Sequence, residues 1–303
     1  MTSDNFPLFR PLTGIHEPSA IQQLADGRFL VVEDEKQHPF SLVTIGIDGS
    51  VGSTALGLAD DALGKLNDLE GLTLARSGHI YAITSHSRDG SGEAKKSRDK
   101  LVRFRIDDTR ALAPVVVDSL KSALIAAHPV LAAAAGILDV KAEGGLNIEA
   151  LEITPDQRQL LIGFRSPLFD QKAIVASVDN PAAIFDAGES PRIGATLETL
   201  DLGGHGIRGM AYIPALDGYL VISGPIARER VQFQLWFWRG GRGDPVRRVT
   251  VAGLQGLERA EGVCAALLDG QQRIVVVSDD GSREEGRYAG FLLLDIGQLR
   301  IGS

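Results

Sequence analysis

The stretch Glu70-Gly-Leu-Thr-Leu74, followed by His79-Ile-Tyr-Ala-Ile-Thr-Ser85, decides how the chain is read. A charged residue and a small one open a half-apolar run. A turn intervenes, and a strongly apolar run then ends in polar residues. Four other segments repeat the arrangement. Glu17-Pro-Ser-Ala-Ile21 precedes Arg28-Phe-Leu-Val-Val-Glu-Asp34, and Glu149-Ala-Leu-Glu-Ile153 precedes Gln159-Leu-Leu-Ile-Gly-Phe-Arg165. Arg208-Gly-Met-Ala-Tyr212 precedes Gly218-Tyr-Leu-Val-Ile-Ser-Gly224, and Glu261-Gly-Val-Cys-Ala265 precedes Arg273-Ile-Val-Val-Val-Ser-Asp279. The leading charges lie 53, 79, 59 and 53 residues apart. A repeat of that length, made of short strands, suits a four-stranded propeller blade with variable loops.

Working outward, each unit needs two more strands. Third strands are predicted at 41–47, 100–106, 173–178, 231–238 and 290–295, and fourth strands at 52–58, 113–119, 195–202 and 245–252. The fifth unit has no fourth strand, while residues 6–14 read as a strand without a unit. The economical solution is an all-β, five-bladed β-propeller of 20 strands, closed by the N-terminal strand. Closure removes the sheet edges that would otherwise invite aggregation. The whole chain, 1–303, is then one propeller domain. Residues 119–138 (SLKSALIAAHPVLAAAAGIL) form an insertion that reads as helix, interrupted at Pro129. It leads into the strand carrying Glu149, so it is expected on the face where that strand begins.

Composition excludes several classes. With 39 acidic against 31 basic residues the net charge is −8, unlike the basic face a nonspecific nucleic-acid binder needs. A single cysteine, Cys264, rules out an intramolecular disulfide framework and CxxC zinc sites. No apolar run reaches the length of a membrane span, and residues 1–7 show no secretory signal, so the expected location is cytoplasmic. There is no G-x-S-x-G elbow and no Walker-type loop. The aromatic run Phe233, Trp236, Phe237, Trp238 is read as packing between blades.

In a propeller the first strand of each blade lines the central channel. Glu17, Glu70, Glu149, Arg208 and Glu261 should therefore converge at one mouth, four carboxylates against one guanidinium. Crowded carboxylates raise one another's pKa unless a cation compensates. Calcium, which takes 6–8 oxygen ligands, suits Glu17, Glu70, Glu149 and Glu261; magnesium is a weaker candidate, and zinc lacks His or Cys ligands here. A salt-bridge plug around Arg208 is the competing reading. A second column, at the ends of the second strands, holds Asp34, Ser85, Arg165, Gly224 and Asp279, with Glu35, His86, Ser166, Pro225 and Asp280 beside it. Asp34, Arg165, Arg208 and Asp279 are candidate substrate-binding residues. His86 is a candidate general base or acid, with Glu149 as a second catalytic candidate. His205, between glycines just before Arg208, also approaches the mouth in this reading.

Leu69-Glu-Gly-Leu-Thr-Leu74, Gly145-Leu-Asn-Ile-Glu-Ala-Leu151, Gly206-Ile-Arg-Gly-Met210 and Ala260-Glu-Gly-Val-Cys264 resemble the phrases of an uncharacterised bacterial propeller family, a domain of unknown function. The pattern is more distantly similar to the calcium-dependent apyrases, five-bladed propellers with channel calcium. That resemblance implies ligation by Glu17, Glu70, Glu149 and Glu261, with Arg208 as a departure. His16-Glu17-Pro18 partly resembles the metal-binding phrase of the six-bladed gluconolactonase-like propellers. Together these readings lead to an expected metal-assisted hydrolase of a small anionic ester, a phosphate or organic-acid ester. The alternative is a non-catalytic metabolite- or protein-binding propeller with a structural ion or a salt-bridge plug. Oligomeric state is not legible.

Overall fold

Apolar runs buried on both sides and polar runs at the rim sort themselves radially. In the computed structural model, which describes residues 8–34, 39–58, 63–140, 144–227, 232–254, 256–257 and 259–302, five antiparallel sheets form a ring. Blade one is β2 (Pro18–Gln23), β3 (Phe29–Glu33), β4 (Phe40–Ile45) and β5 (Val51–Ala55). Blade two is β6 (Leu69–Leu74), β7 (Ile80–Thr84), β8 (Leu101–Asp107) and β9 (Arg110–Val117). Blade three is β10 (Asn147–Ile153), β11 (Leu160–Ser166), β12 (Ala173–Val178) and β13 (Glu198–Leu200). Blade four is β14 (Gly206–Ile213), β15 (Gly218–Gly224), β16 (Gln234–Trp238) and β17 (Arg247–Val251). Blade five is β18 (Ala260–Leu268), β19 (Gln271–Ser278) and β20 (Gly290–Asp295), completed by β1 (Arg10–Pro11). The five-bladed propeller closed by the N-terminal strand is thus the observed fold. Residues 6 and 7 of the expected closing strand, and Val231 of the expected third strand, lie outside the described residues.

Each interface between neighbouring blades is one hydrophobic core. The clusters join blades one and two, two and three, three and four, four and five, and five and one. The last includes Leu12 and Ile15, both wholly buried beside Phe291 and Val277. That is why a two-residue β1 can close the ring. Arg10 pairs with Phe291 and Pro11 with Gly290, and Leu12 N–H donates to the Ala289 carbonyl at 2.7 Å. The Gln23 amide also bridges the closing blades, exchanging two hydrogen bonds with the Leu267 backbone at 3.0 and 2.6 Å. The aromatic run packs as expected: Phe237 and Trp238 are buried, in the cores on either side of blade four.

Three features depart from expectation. A 21st strand, β21 (Leu299–Ile301), pairs with β17 and gives blade four a fifth strand. A short helix, Pro181–Ala187, lies between β12 and β13. The insertion forms α1 (Leu120–Ala127) and α2 (Pro129–Ala135), broken at Pro129 as the sequence predicts. It is not a cap over the mouth, however. Leu120, Leu124, Leu131 and Ala134 are buried in the core between blades two and three. At the helix junction His128 Nε2 lies 3.0 Å from the Gly194 carbonyl, in the β12–β13 connection at the far end of blade three. Both ends of the insertion reach the mouth face: Lys121 at the start of α1 pairs with Asp99 of the β7–β8 loop at 2.9 Å, and at the exit of α2 Leu146 N–H donates to the Ala134 carbonyl.

Candidate functional site

Every inner strand carries a register shift near its start, and β10 has a second one between Asn147 and Ile148. The shifts fall between Pro18 and Ala20, Leu69 and Gly71, Ile148 and Ala150, Ile207 and Gly209, and Ala260 and Gly262. The extra residue of each bulge is therefore Ser19, Glu70, Glu149, Arg208 or Glu261. A bulge re-aims its side chain out of the ladder, and all five of these residues line one cavity of about 960 Å3. The residue after each bulge is Gly or Ala because the next blade's backbone presses there. A Cβ on Gly71 would lie 2.7 Å from Leu151 N, and one on Gly209 only 1.8 Å from the Glu261 carbonyl. The recurring Glu-Gly phrase is thus one charge aimed at the axis and one close backbone approach.

This register corrects the sequence alignment in blade one. The bulged residue is Ser19, and Glu17 stands two positions earlier, in the tier of Asp68, Asn147, Gly206 and Arg259. Glu17 still lines the cavity, but as an exposed residue of that outer tier. Asp68 and Asn147 went unrecognised in the sequence. The signal was their fixed place two residues ahead of Glu70 and Glu149.

At the floor, Arg208 Nη1 lies 3.0 and 2.9 Å from the two Glu149 oxygens, and Nη2 pairs with Glu261. Glu149 also accepts from Arg165 Nη1 at 3.2 Å and Asn147 Nδ2 at 2.9 Å. To one side, Asp68 pairs with Arg98 at 2.7 Å and accepts from Ser87 at 3.3 Å, while Asp34 accepts the Asp68 N–H at 3.0 Å. Burial, then the Glu149 and Asp68 carboxylates, push the Glu70 pKa well above the usual range, against the pull of Arg208. Burial pushes Asp279 up to about 6, with Arg208 opposing and Glu17 adding to the rise. Asp34 is raised by burial and by Asp68.

Asp34, Ser85, Gly224 and Asp279 of the second column share a register, but Arg165 does not: Ser166 takes that place opposite Asn147, and Arg165 is an extra residue of β11. Asp34, Arg165 and Asp279 all line the cavity. Glu35 lies outside the described residues. Asp280 turns to structure instead, accepting from Ser278 Oγ at 2.7 Å and Gly290 N–H at 2.9 Å. His86 and His205 are not among the cavity-lining residues. His86 is wholly buried at φ 56°, its Nδ1 2.8 Å from the Thr84 carbonyl, and burial lowers its pKa to about 4. An imidazole enclosed in this way cannot serve the cavity as a base.

The ring does not fit calcium. Arg208 and Arg165 together already balance Glu149 and Glu261 where the ion's charge was expected, and Glu17 stands out of register. Among the described residues no group of three or more His, Cys, Asp or Glu is arranged to hold a metal ion. Nor does the cavity favour an anion, since nine of its lining residues are Asp or Glu and four are Arg. No described helix is long and apolar enough to cross a membrane.

A family model described as "Protein of unknown function (DUF3616)" matches residues 118–290. No curated protein matches the chain. Solved structures with a similar course include a glucose dehydrogenase, 15% identical over 95% of this chain and 99% of that one, with a TM-score of 0.47. The Malassezia sympodialis allergen Mala s 1 is 10% identical, over 93% of this chain and 92% of that one, with a TM-score of 0.46. The periplasmic gluconolactonase of Pseudomonas aeruginosa is 11% identical, over 92% and 72%, with a TM-score of 0.41. At such identities these likenesses bear on no residue of the cavity.

Proposed function

The chain belongs to the DUF3616 family, and for this member we propose a small-molecule-binding propeller whose polar ligand sits in the axial cavity above the Arg208, Glu149 and Glu261 floor. One observation carries the reading. Asn147 Oδ1 and Arg208 Nε are buried without a hydrogen-bond partner, and Glu149 Oε2 has only its ion contact. A buried polar atom left unpaired costs about 1–3 kcal/mol. Several around one cavity are a site awaiting donors and acceptors from a ligand. The cavity has the volume of a metabolite site, and each inner strand of its wall is hydrogen-bonded to its second strand and packed against the inner strands of both neighbouring blades. The test is a thermal-shift screen of polar metabolites on chelator-treated protein, repeated on Asn147→Ala. Hits that lose their shift in the variant support the reading; a library without hits sinks it.

A second reading follows from Glu70 and Asp279. Both pKa values are raised beside an ion-paired Glu149, Glu70 well above the usual carboxylate range and Asp279 to about 6, and carboxyl groups tuned by their surroundings serve as acids and bases. In ester or lactone hydrolysis, Glu70 would give its proton to the leaving oxygen as the acyl–oxygen bond breaks. Asp279 would take a proton from the water that adds to the carbonyl carbon. A screen of esters, lactones and phosphoesters with chelator present tests it. Turnover lost in both Glu70→Gln and Asp279→Asn supports hydrolysis, and no turnover on any class removes it.

A further inference from the structure

From the same cavity we infer that the ligand is a small organic cation, one carrying a primary ammonium or guanidinium on a short polar frame. The inference rests on the binding reading above and names the chemistry it takes.

The cavity's four arginines are already engaged. Arg98 holds Asp68, Arg208 holds Glu149 and Glu261, and Arg165 donates to Glu149 and to the Pro225 carbonyl at 3.0 Å. Arg88 donates to the Ala135 and Gly92 carbonyls at 3.2 and 3.0 Å. In the neighbouring loop, Lys95 is held by Asp89 and Glu93, and Lys100 by the Leu63 carbonyl. Among the buried side-chain atoms of the described cavity lining, the donor left unpaired is Arg208 Nε.

The acceptors are in the opposite condition. Among the described residues Glu17, Glu70 and Asp279 have no salt-bridge partner, and Asn147 Oδ1 has no donor although Asn147 is only 6% exposed. A neutral polyol could donate to these groups but would leave the carboxylate excess standing. A compact metal ion would need the carboxylates drawn into one tight shell, which the guanidinium of Arg208 prevents. An ammonium presents three donors and one positive charge, and a guanidinium five donors in a fixed fork. Either matches a wide, acceptor-rich, negatively charged cavity.

The experiment titrates full-length, chelator-treated protein with four-carbon probes of matched length: 1,4-diaminobutane, 1,4-butanediol and succinate, with agmatine for the guanidinium. Calorimetry gives affinity, and backbone NMR shifts place the contact. The diamine or agmatine is expected to bind at least about tenfold more tightly than the diol, a difference of about 1.4 kcal/mol. Succinate should not bind, and added salt should weaken the cations. Glu17→Gln, at an exposed position that leaves the fold intact, should weaken cation binding several-fold, as should Glu70→Gln. Equal or tighter binding of the diol or succinate overturns the cation assignment and leaves the cavity reading in place. No cavity shift with any probe at millimolar concentration overturns both. Displacement of the diamine by micromolar calcium overturns the inference in favour of a metal.

Discussion

Glu70 and His86 carry opposite pH signatures, and each can be measured. The folded protein holds the Glu70 proton to a higher pH than the unfolded chain, because burial and Glu149 raise the pKa. That contribution to stability is complete below the ordinary value of 4.5 and is lost as pH rises through the folded value. Glu70→Gln, which keeps the shape without the charge, is therefore expected to raise Tm more at pH 8 than at pH 5, as read by calorimetry across that range. His86 works in the other direction. Its folded pKa of about 4 lies below the unfolded 6.5, so protons favour the unfolded chain as pH falls between those values. The stability lost across the window is on the order of 3 kcal/mol. An NMR titration should find the His86 ring neutral at pH 5.5, and a ring that titrates near 6.5 would refute its enclosure. Glu149→Ala leaves Arg208 buried beside a lost partner, and an expected loss of about 3–5 kcal/mol should appear in urea unfolding. At this scale the sequence allowed the leading charges to be found but not the place of Glu17. Glu17-Pro18 imitates Glu70-Gly71 in text, and only strand pairing shows that Ser19 holds the bulge.

The inner-strand bulge is the element that makes the site. It turns one residue per blade toward the axis, and the small residue after it lets the next inner strand close in. Gly209→Ala tests the pairing of these roles, since the new Cβ would meet the Glu261 carbonyl at 1.8 Å. The expected cost is about 1–3 kcal/mol or more, with Arg208 displaced from Glu261. A variant as stable as wild type would refute the close-approach account. The second strands were legible because each is a near-continuous apolar run, buried on both faces between two blades. The helical insertion was legible as helix and as broken at Pro129. Its position was not, because spacing of Leu120, Leu124 and Leu131 says that one face is buried without saying against what. β21 escaped because three residues give no alternation to read.

At the scale of the molecule, five interblade cores share the load, and two short strands act on outer edges. They do different work. β1 carries Leu12 and Ile15 into the core between the last and first blades, whereas β21 adds a rim strand to a blade already complete. Removing residues 1–14 is expected to lower Tm strongly and to promote aggregation, by exposing the β20 edge and the Leu12 pocket. Removing 299–303 should lower Tm by a few degrees and leave the protein monodisperse in light scattering. Equal effects would show that closure is not where the stability lies. Five units and their closing strand could be read from the repeat, since each hydrophobic face recurs in order. The cavity's charge balance could not, because it depends on which arginines are already engaged.

The pairing of Arg10 with Phe291 also sets an order of events during synthesis. A chain made from its N-terminus produces β1 first and β20 among the last strands. The first four blades can pack on the ribosome as an open arc, each on the one before it. β1 must wait through that whole period, unpaired, with Leu12 and Ile15 still in water. A chaperone or a protease would meet the nascent protein at this segment, and the emergence of β20 would be the moment at which the axial cavity can first acquire all its walls.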